Sequence, residues 1–137
     1  MGKLSRTKGR KFEQDCAKPL RVIFGERVKR GWQTRNGSKD ALDIENTPFA
    51  IECKHQERPN IFAAYEQAVE GAKHNGGIPL AIVKKNQGKA LAVLSYEDFL
   101  AMVEALYDVA YFSSTQTIQG YELTASGKAM VAALEDE

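Results

Sequence analysis

The stretch from Asp40 to His55, DALDIENTPFAIECKH, admits few folds. Ile44 precedes and Phe49, Ala50 and Ile51 follow the turn-forming triplet Asn46, Thr47 and Pro48. The stretch therefore predicts two short antiparallel strands, over 41–45 and 49–55, joined by a tight turn. Glu52 and Lys54 are two apart, so on a strand they project from one face. A register that sets Asp43 opposite Ala50 brings Asp43 onto that face, diagonal to Glu52 and within reach of a shared ligand. A slip of one residue would turn it away. Two carboxylates and an ammonium then converge. Carboxylate oxygens that leave room for water and phosphate suit Mg²⁺, and a lysine beside them can orient or deprotonate a water.

The charge distribution points to a partner. Residues 1–39 carry 12 Lys and Arg against Glu13, Asp15 and Glu26, whereas from Tyr96 onward Lys128 is the one base against eight acids. Such polarity predicts a nucleic-acid face towards the N-terminal end and an acidic far side. Lys8, Arg10, Lys11, Arg30, Arg35 and Lys39 are the candidate phosphate contacts. At 137 residues the chain is long enough for one domain with a real core. No apolar run approaches membrane-span length, and the basic N-terminus is not followed by an apolar stretch, so neither a signal peptide nor a membrane contact is expected. Cys16 and Cys53 then read as reduced thiols. A zinc site from Cys16, Cys53, His55 and His74 lacks close-paired ligand spacing. On the predicted strand the Cys53 thiol and His55 point away from Glu52 and Lys54. No Walker loop and no dinucleotide glycine pattern is present.

In chain order, a basic segment to Thr7 leads into a helix from about Lys8, with Phe12, Cys16, Leu20, Ile23 and Phe24 at helical spacing. Pro19 predicts a kink or an early end, and Gly25 the closure. Arg27 to Arg35 alternates as a strand, with Trp32 read as core or as a base-stacking surface. The loop Asn36, Gly37, Ser38 and Lys39 leads into the hairpin. Asn60 caps a helix over 61–74 whose predicted stripe is Ile61, Tyr65, Ala68, Val69 and Ala72. Ile78 to Val83 reads as a buried strand, Ala90 to Leu94 as another, and Tyr96 to Tyr107 as a helix. Residues 108–120 are rich in Ser, Thr and Gln, and a helix is expected to run on to Leu134. The expected organisation is a core over 1–107 and an extension over 108–137 that packs on the core or joins a dimer.

An aspartate, then Glu-x-Lys nine residues on, following a basic helix with Glu13, resembles the PD-(D/E)xK nuclease superfamily. Asn36, Gly37 and Ser38, then Asp43 and Ile44, then Phe49 to Lys54 are especially similar to archaeal-type Holliday-junction resolvases and related phage endonucleases. The resemblance covers about residues 8–100. The family usually has proline before its metal-binding aspartate, and here that position is Leu42, which makes Asp40 a rival to Asp43. The resemblance implies an α/β fold with a restriction-endonuclease-like core, α-β-β-β-α-β, in a mixed sheet flanked by helices. It implies a Mg²⁺-dependent DNA endonuclease, with Mn²⁺ able to substitute, acting on branched or junction DNA as a homodimer in the cytoplasm of a bacterial or archaeal cell or a phage-infected host. Asp43, Glu52 and the Cys53 carbonyl would bind metal, and Lys54 would position the attacking water. Glu13, Ser38 and Gln67 are the further catalytic candidates it implies. A structure-independent nicking or restriction-like endonuclease and a catalytically silent DNA-binding module on the same fold are the alternatives.

Overall fold

A computed structural model of the chain describes residues 3–31, 41–108, 117–118 and 121–122. The chain divides into two units, Met1–Ser95 and Tyr96–Glu137. The first contains α1 (Lys3–Phe24), β1 (Lys29–Arg30), β2 (Ile44–Glu45), β3 (Phe49–Gln56), α2 (Ile61–Asn75), β4 (Ile78–Lys85) and β5 (Leu91–Val93). The five strands form one sheet in the order β1-β2-β3-β4-β5. The β3–β4 pair is parallel, from Phe49 opposite Ile78 to Gln56 opposite Lys85. The β1–β2, β2–β3 and β4–β5 pairs are antiparallel. A parallel pair needs a crossover, which α2 supplies. The result is a mixed α/β sheet with the expected α-β-β-β-α-β order, consistent with a restriction-endonuclease-like core.

The two faces of the sheet are covered by different helices. On one face, Phe12 and Ala17 of α1 pack with Val28, Ile44, Ile51, Cys53 and Leu80. On the other, Ala64 of α2 packs with Ala81 and Val83. Because side chains alternate along a strand, Ile51, Cys53 and His55 belong to the α1 face. Glu52 and Lys54 belong to the α2 face, abreast of Ala81 and Val83.

Several local expectations are corrected. The first helix begins at Lys3 rather than Lys8 and runs through Pro19 to Phe24. Proline cannot donate to the Asp15 carbonyl one turn back, but both residues are exposed, so water can take that bond. At the far end of the expected stripe, Ile23 and Phe24 are exposed, while Cys16 and Leu20 pack against the core. Gly25 does close the helix, at φ 107°, its N–H donating to the Arg21 carbonyl at 2.9 Å. Among the described residues, the expected strand over 27–35 is paired at Lys29–Arg30; residues 32–40 lie outside the described residues. The Asn60 cap forms as expected, its side chain accepting from the Ala63 N–H at 3.0 Å. The buried stripe of α2 is Ala64, Ala68 and Gly71, however, with Ile61 exposed. Small side chains allow the helix to lie close to the sheet, so the face that docks is the small one and not the most apolar one. Strand β4 continues through Lys84 and Lys85, two residues past its expected end at Val83.

In the second unit, α3 spans Tyr96–Asp108, and β6 (Thr117–Ile118) pairs antiparallel with β7 (Tyr121–Glu122). Strand β6 falls within the Ser-, Thr- and Gln-rich segment 108–120, and β7 just beyond it. The helix expected to reach Leu134 lies outside the described residues. Among the described residues no helix is long and apolar enough to cross a membrane.

Two glycines govern how closely the elements approach. The Gly31 N–H donates to the Asp43 carbonyl at 2.8 Å, and a Cβ at Gly31 would fall within the Leu42 carbonyl. At Gly71 a Cβ would meet only the Leu42 Cδ2 methyl, at 2.8 Å. Gly31→Ala is therefore expected to cost about 2 kcal/mol or more, since backbone must move. Gly71→Ala should stay within about 1 kcal/mol, because the helix gain offsets a side-chain shift. Urea unfolding midpoints of the two variants check the contrast.

Candidate active site

The β2–β3 hairpin turns at Asn46, in the left-handed region at φ 69°, and at Thr47, whose hydroxyl accepts from the Phe49 N–H at 3.0 Å. Asn46 also donates from its side chain to the Arg27 carbonyl at 2.7 Å, tying the turn to the chain ahead of β1. The register differs from the expected one. Ile44, not Asp43, has its partner within this part of β3, and that partner is Ile51. The displacement from an Asp43–Ala50 register is two residues, so it preserves which face each side chain occupies. The Asp43 N–H also donates to the Ile51 carbonyl, at 3.0 Å.

Asp43 is 4% exposed, the one buried charged residue among those described. Its Oδ2 accepts the Cys53 N–H at 2.6 Å, and its carboxyl is in hydrogen-bonding contact with that of Glu52. Lys54 Nζ stands 3.4 Å from Glu52 Oε1. From α1, Glu13 reaches the same neighbourhood, with Oε2 accepting from Arg30 Nε at 2.8 Å. Burial, then Glu52, then Glu13 push the Asp43 pKa up to about 8, against the lowering effect of the Cys53 N–H and Lys54. Burial first also raises Glu52, although Lys54 and the bond to Asp43 oppose it. Two neighbouring carboxyls with one nearby ammonium favour retention of a proton, because both cannot ionise cheaply in a buried site.

The structure thus brings together Asp43, Glu52, Lys54 and Glu13 of the expected site. Gln67 is on the exposed side of α2 and not among the groups that meet there. Ser38, Arg35, Lys39 and the rival Asp40 lie outside the described residues, as does Trp32. Arg30, expected to contact phosphate, is engaged with Glu13. Arg10 is exposed on α1, while Lys8 and Lys11 line a separate cavity with His55 and Lys84. His55 faces α1, its ring 5.3 Å from that of Phe12. Burial there, then Lys8 and Lys84, lower its pKa. Cys16 and Cys53, read as reduced thiols, are in hydrogen-bonding contact, which lowers Cys16 and, with burial, raises Cys53. Gly31 was missed by the sequence reading. The signal available was a glycine at a strand end, which marks close backbone approach.

The family model described as "Phage putative PDDEXK endonuclease" matches residues 4–135. The chain belongs to this family. No curated protein and no solved structure matches it.

In this endonuclease family member the donor set fits a hard divalent cation. Asp43 and Glu52 present carboxylate oxygens to one another with too little positive charge to balance them. Among the described residues, no three His, Cys, Asp or Glu side chains are grouped to hold a metal ion by themselves. A cation there would complete its shell with water, backbone oxygen or phosphate, which is the habit of hard divalent cations.

The raised Asp43 pKa sets a pH dependence. A carboxyl whose folded pKa exceeds its unfolded value stabilises the fold fully below the unfolded value, and that contribution is lost as pH rises through the folded one. Without divalent cations the melting temperature is therefore expected to fall between about pH 4 and pH 8. Mg²⁺ or Ca²⁺ should recover most of the loss at pH 8. Asp43→Asn, which keeps an acceptor for the Cys53 N–H, should flatten the pH profile and abolish the cation effect. Thermal unfolding across pH with and without EDTA reads all three.

Proposed function

We propose that this endonuclease is Mg²⁺-dependent and cuts branched DNA, a four-way junction above all. The observation that carries this reading is the convergence of Asp43, Glu52 and Lys54 on one face of the sheet, with the first two carboxyls in contact. A protein that only bound DNA would gain nothing by burying carboxylates beside phosphate, since the like charges repel.

Asp43, Glu52 and the Cys53 carbonyl would hold the cation. Bound there, the cation supplies positive charge to the phosphate under attack. Lys54, about a third exposed beside Glu52, orients the attacking water and offsets charge that builds on the phosphate oxygens. The new bond from water to phosphorus forms as the bond to the 3′-oxygen breaks. A 5′-phosphate and a 3′-hydroxyl result, the proton lost by water balancing the one gained by the leaving oxygen. Glu13, braced by Arg30, orients the groups around Asp43. Ser38 is assigned a supporting role at the scissile phosphate. Arg10, Arg35 and Lys39 are assigned phosphate contacts that set position but not sequence preference. Two copies related by a two-fold axis would cut opposing strands of a junction symmetrically.

The test is cleavage of a four-way junction beside a linear duplex of the same sequence, with Mg²⁺, Mn²⁺ or EDTA. Junction cutting that requires the cation is expected. Glu52→Ala should abolish it. Lys54→Ala should bind the junction almost normally in Ca²⁺ and cut about 10²-fold slower or worse. Full activity in Glu52→Ala would refute the site assignment, and equal rates on both DNAs would refute the preference for branched substrates.

A further inference from the structure

On the α1 face of the sheet, away from Glu52 and Lys54, lies a cavity of about 310 Å³. Lys8 and Lys11 line it from α1, one turn apart, and His55 and Lys84 line it from the sheet, where they are register partners across β3 and β4. Leu4 and Phe12 add an apolar wall. Lys8 also donates to the Asn86 side chain, tying α1 to the turn after β4. The one acid in the lining is Asp15, which Lys11 at 3.7 Å and Lys18 at 4.0 Å already share. Lys8 and Lys84 are left as surplus positive charge in a concave site, where field lines concentrate and an anion is favoured. Lys3, Arg6 and Arg10, exposed along the same helix, extend that charge, which suits a polyanion better than a small isolated one.

We propose that this cavity seats one backbone phosphate, with part of its nucleotide, of a DNA strand, as an anchor separate from the carboxylate site. The identity of the strand as DNA rests on the nuclease reading; the excess of positive charge does not. Lys54 and His55 are chain neighbours on opposite faces. A strand held at both sites bends around the end of β3, a path that suits an unpaired or branched segment better than stiff duplex.

The experiment is a ¹H–¹⁵N NMR titration of the full chain in EDTA with a short single-stranded DNA oligonucleotide, alongside inorganic phosphate. Anisotropy binding across a salt series is measured for wild type and for Lys8→Gln/Lys84→Gln. The expected result is amide shifts centred on Thr7, Lys8 and Lys84, and affinity about 10-fold or more weaker in the double variant. The salt slope should be shallower by about 0.7 for the lost phosphate contact. Because EDTA removes the cation, this outcome stands even if no cleavage is ever seen, which would count against the nuclease reading alone. Shifts confined to Asp43 and Glu52, or unchanged affinity and slope in a variant that keeps the wild-type spectrum, would overturn the proposal. Equal shifts from inorganic phosphate at the same concentration would overturn the strand as its occupant.

Discussion

The hydrogen bond from the Cys53 N–H to Asp43 is the constraint on which the site depends. Asp43 comes just ahead of a two-residue strand and is nearly inaccessible to water. A carboxylate there must find a donor or take up a proton. The 2.6 Å contact supplies the donor from the centre of β3. The same bond sets Asp43 against Glu52. The cluster is therefore costly by itself, with two acids raised in pKa and only partial relief from Lys54.

Strand β3 can support this because it is paired on both sides, antiparallel to β2 and parallel to β4 over its full length. It is the central strand of the sheet, and alternation divides its work. Ile51 and Cys53 fill the core beneath α1, while Glu52 and Lys54 face the α2 side. Around that rigid strand the other elements are held by close contacts. Gly31 lets the backbone of β1 meet the Leu42–Asp43 peptide, and Gly71 lets α2 reach Leu42. Arg30 of β1 binds Glu13 of α1. Leu42 thus has packing duties on both sides.

Much of this was legible in local patterns. The Asn46–Pro48 turn, the Gly25 stop, the Asn60 cap and the helix–hairpin–helix–strand order follow from side chains acting on their own backbone, which proximity in sequence reveals. The misses share a different cause. The helix at Lys3 survives Pro19 because its freed carbonyl faces water, and α2 buries Ala64, Ala68 and Gly71 because the sheet accepts only small residues at that distance. Neither depends on local propensity. The pairing of Cys16 with Cys53, and of Arg30 with Glu13, joins segments distant in sequence, so no spacing rule announces them.

The sequence by itself determined that Glu52 and Lys54 share a face and that basic charge gathers at the N-terminal end. It also determined that an acid-acid-lysine set lies on a hairpin. These follow from the two-residue period of a strand and from composition. Only the tertiary structure decided the register, which moved by two residues and kept the face because the period is two. It also decided that Asp43 is buried against Cys53 and that Lys8 and Lys11 stand with His55 and Lys84 rather than at the carboxylates. Those outcomes depend on how α1 crosses the sheet, and that crossing is set by which side chains interlock across the core, a property of the packed whole.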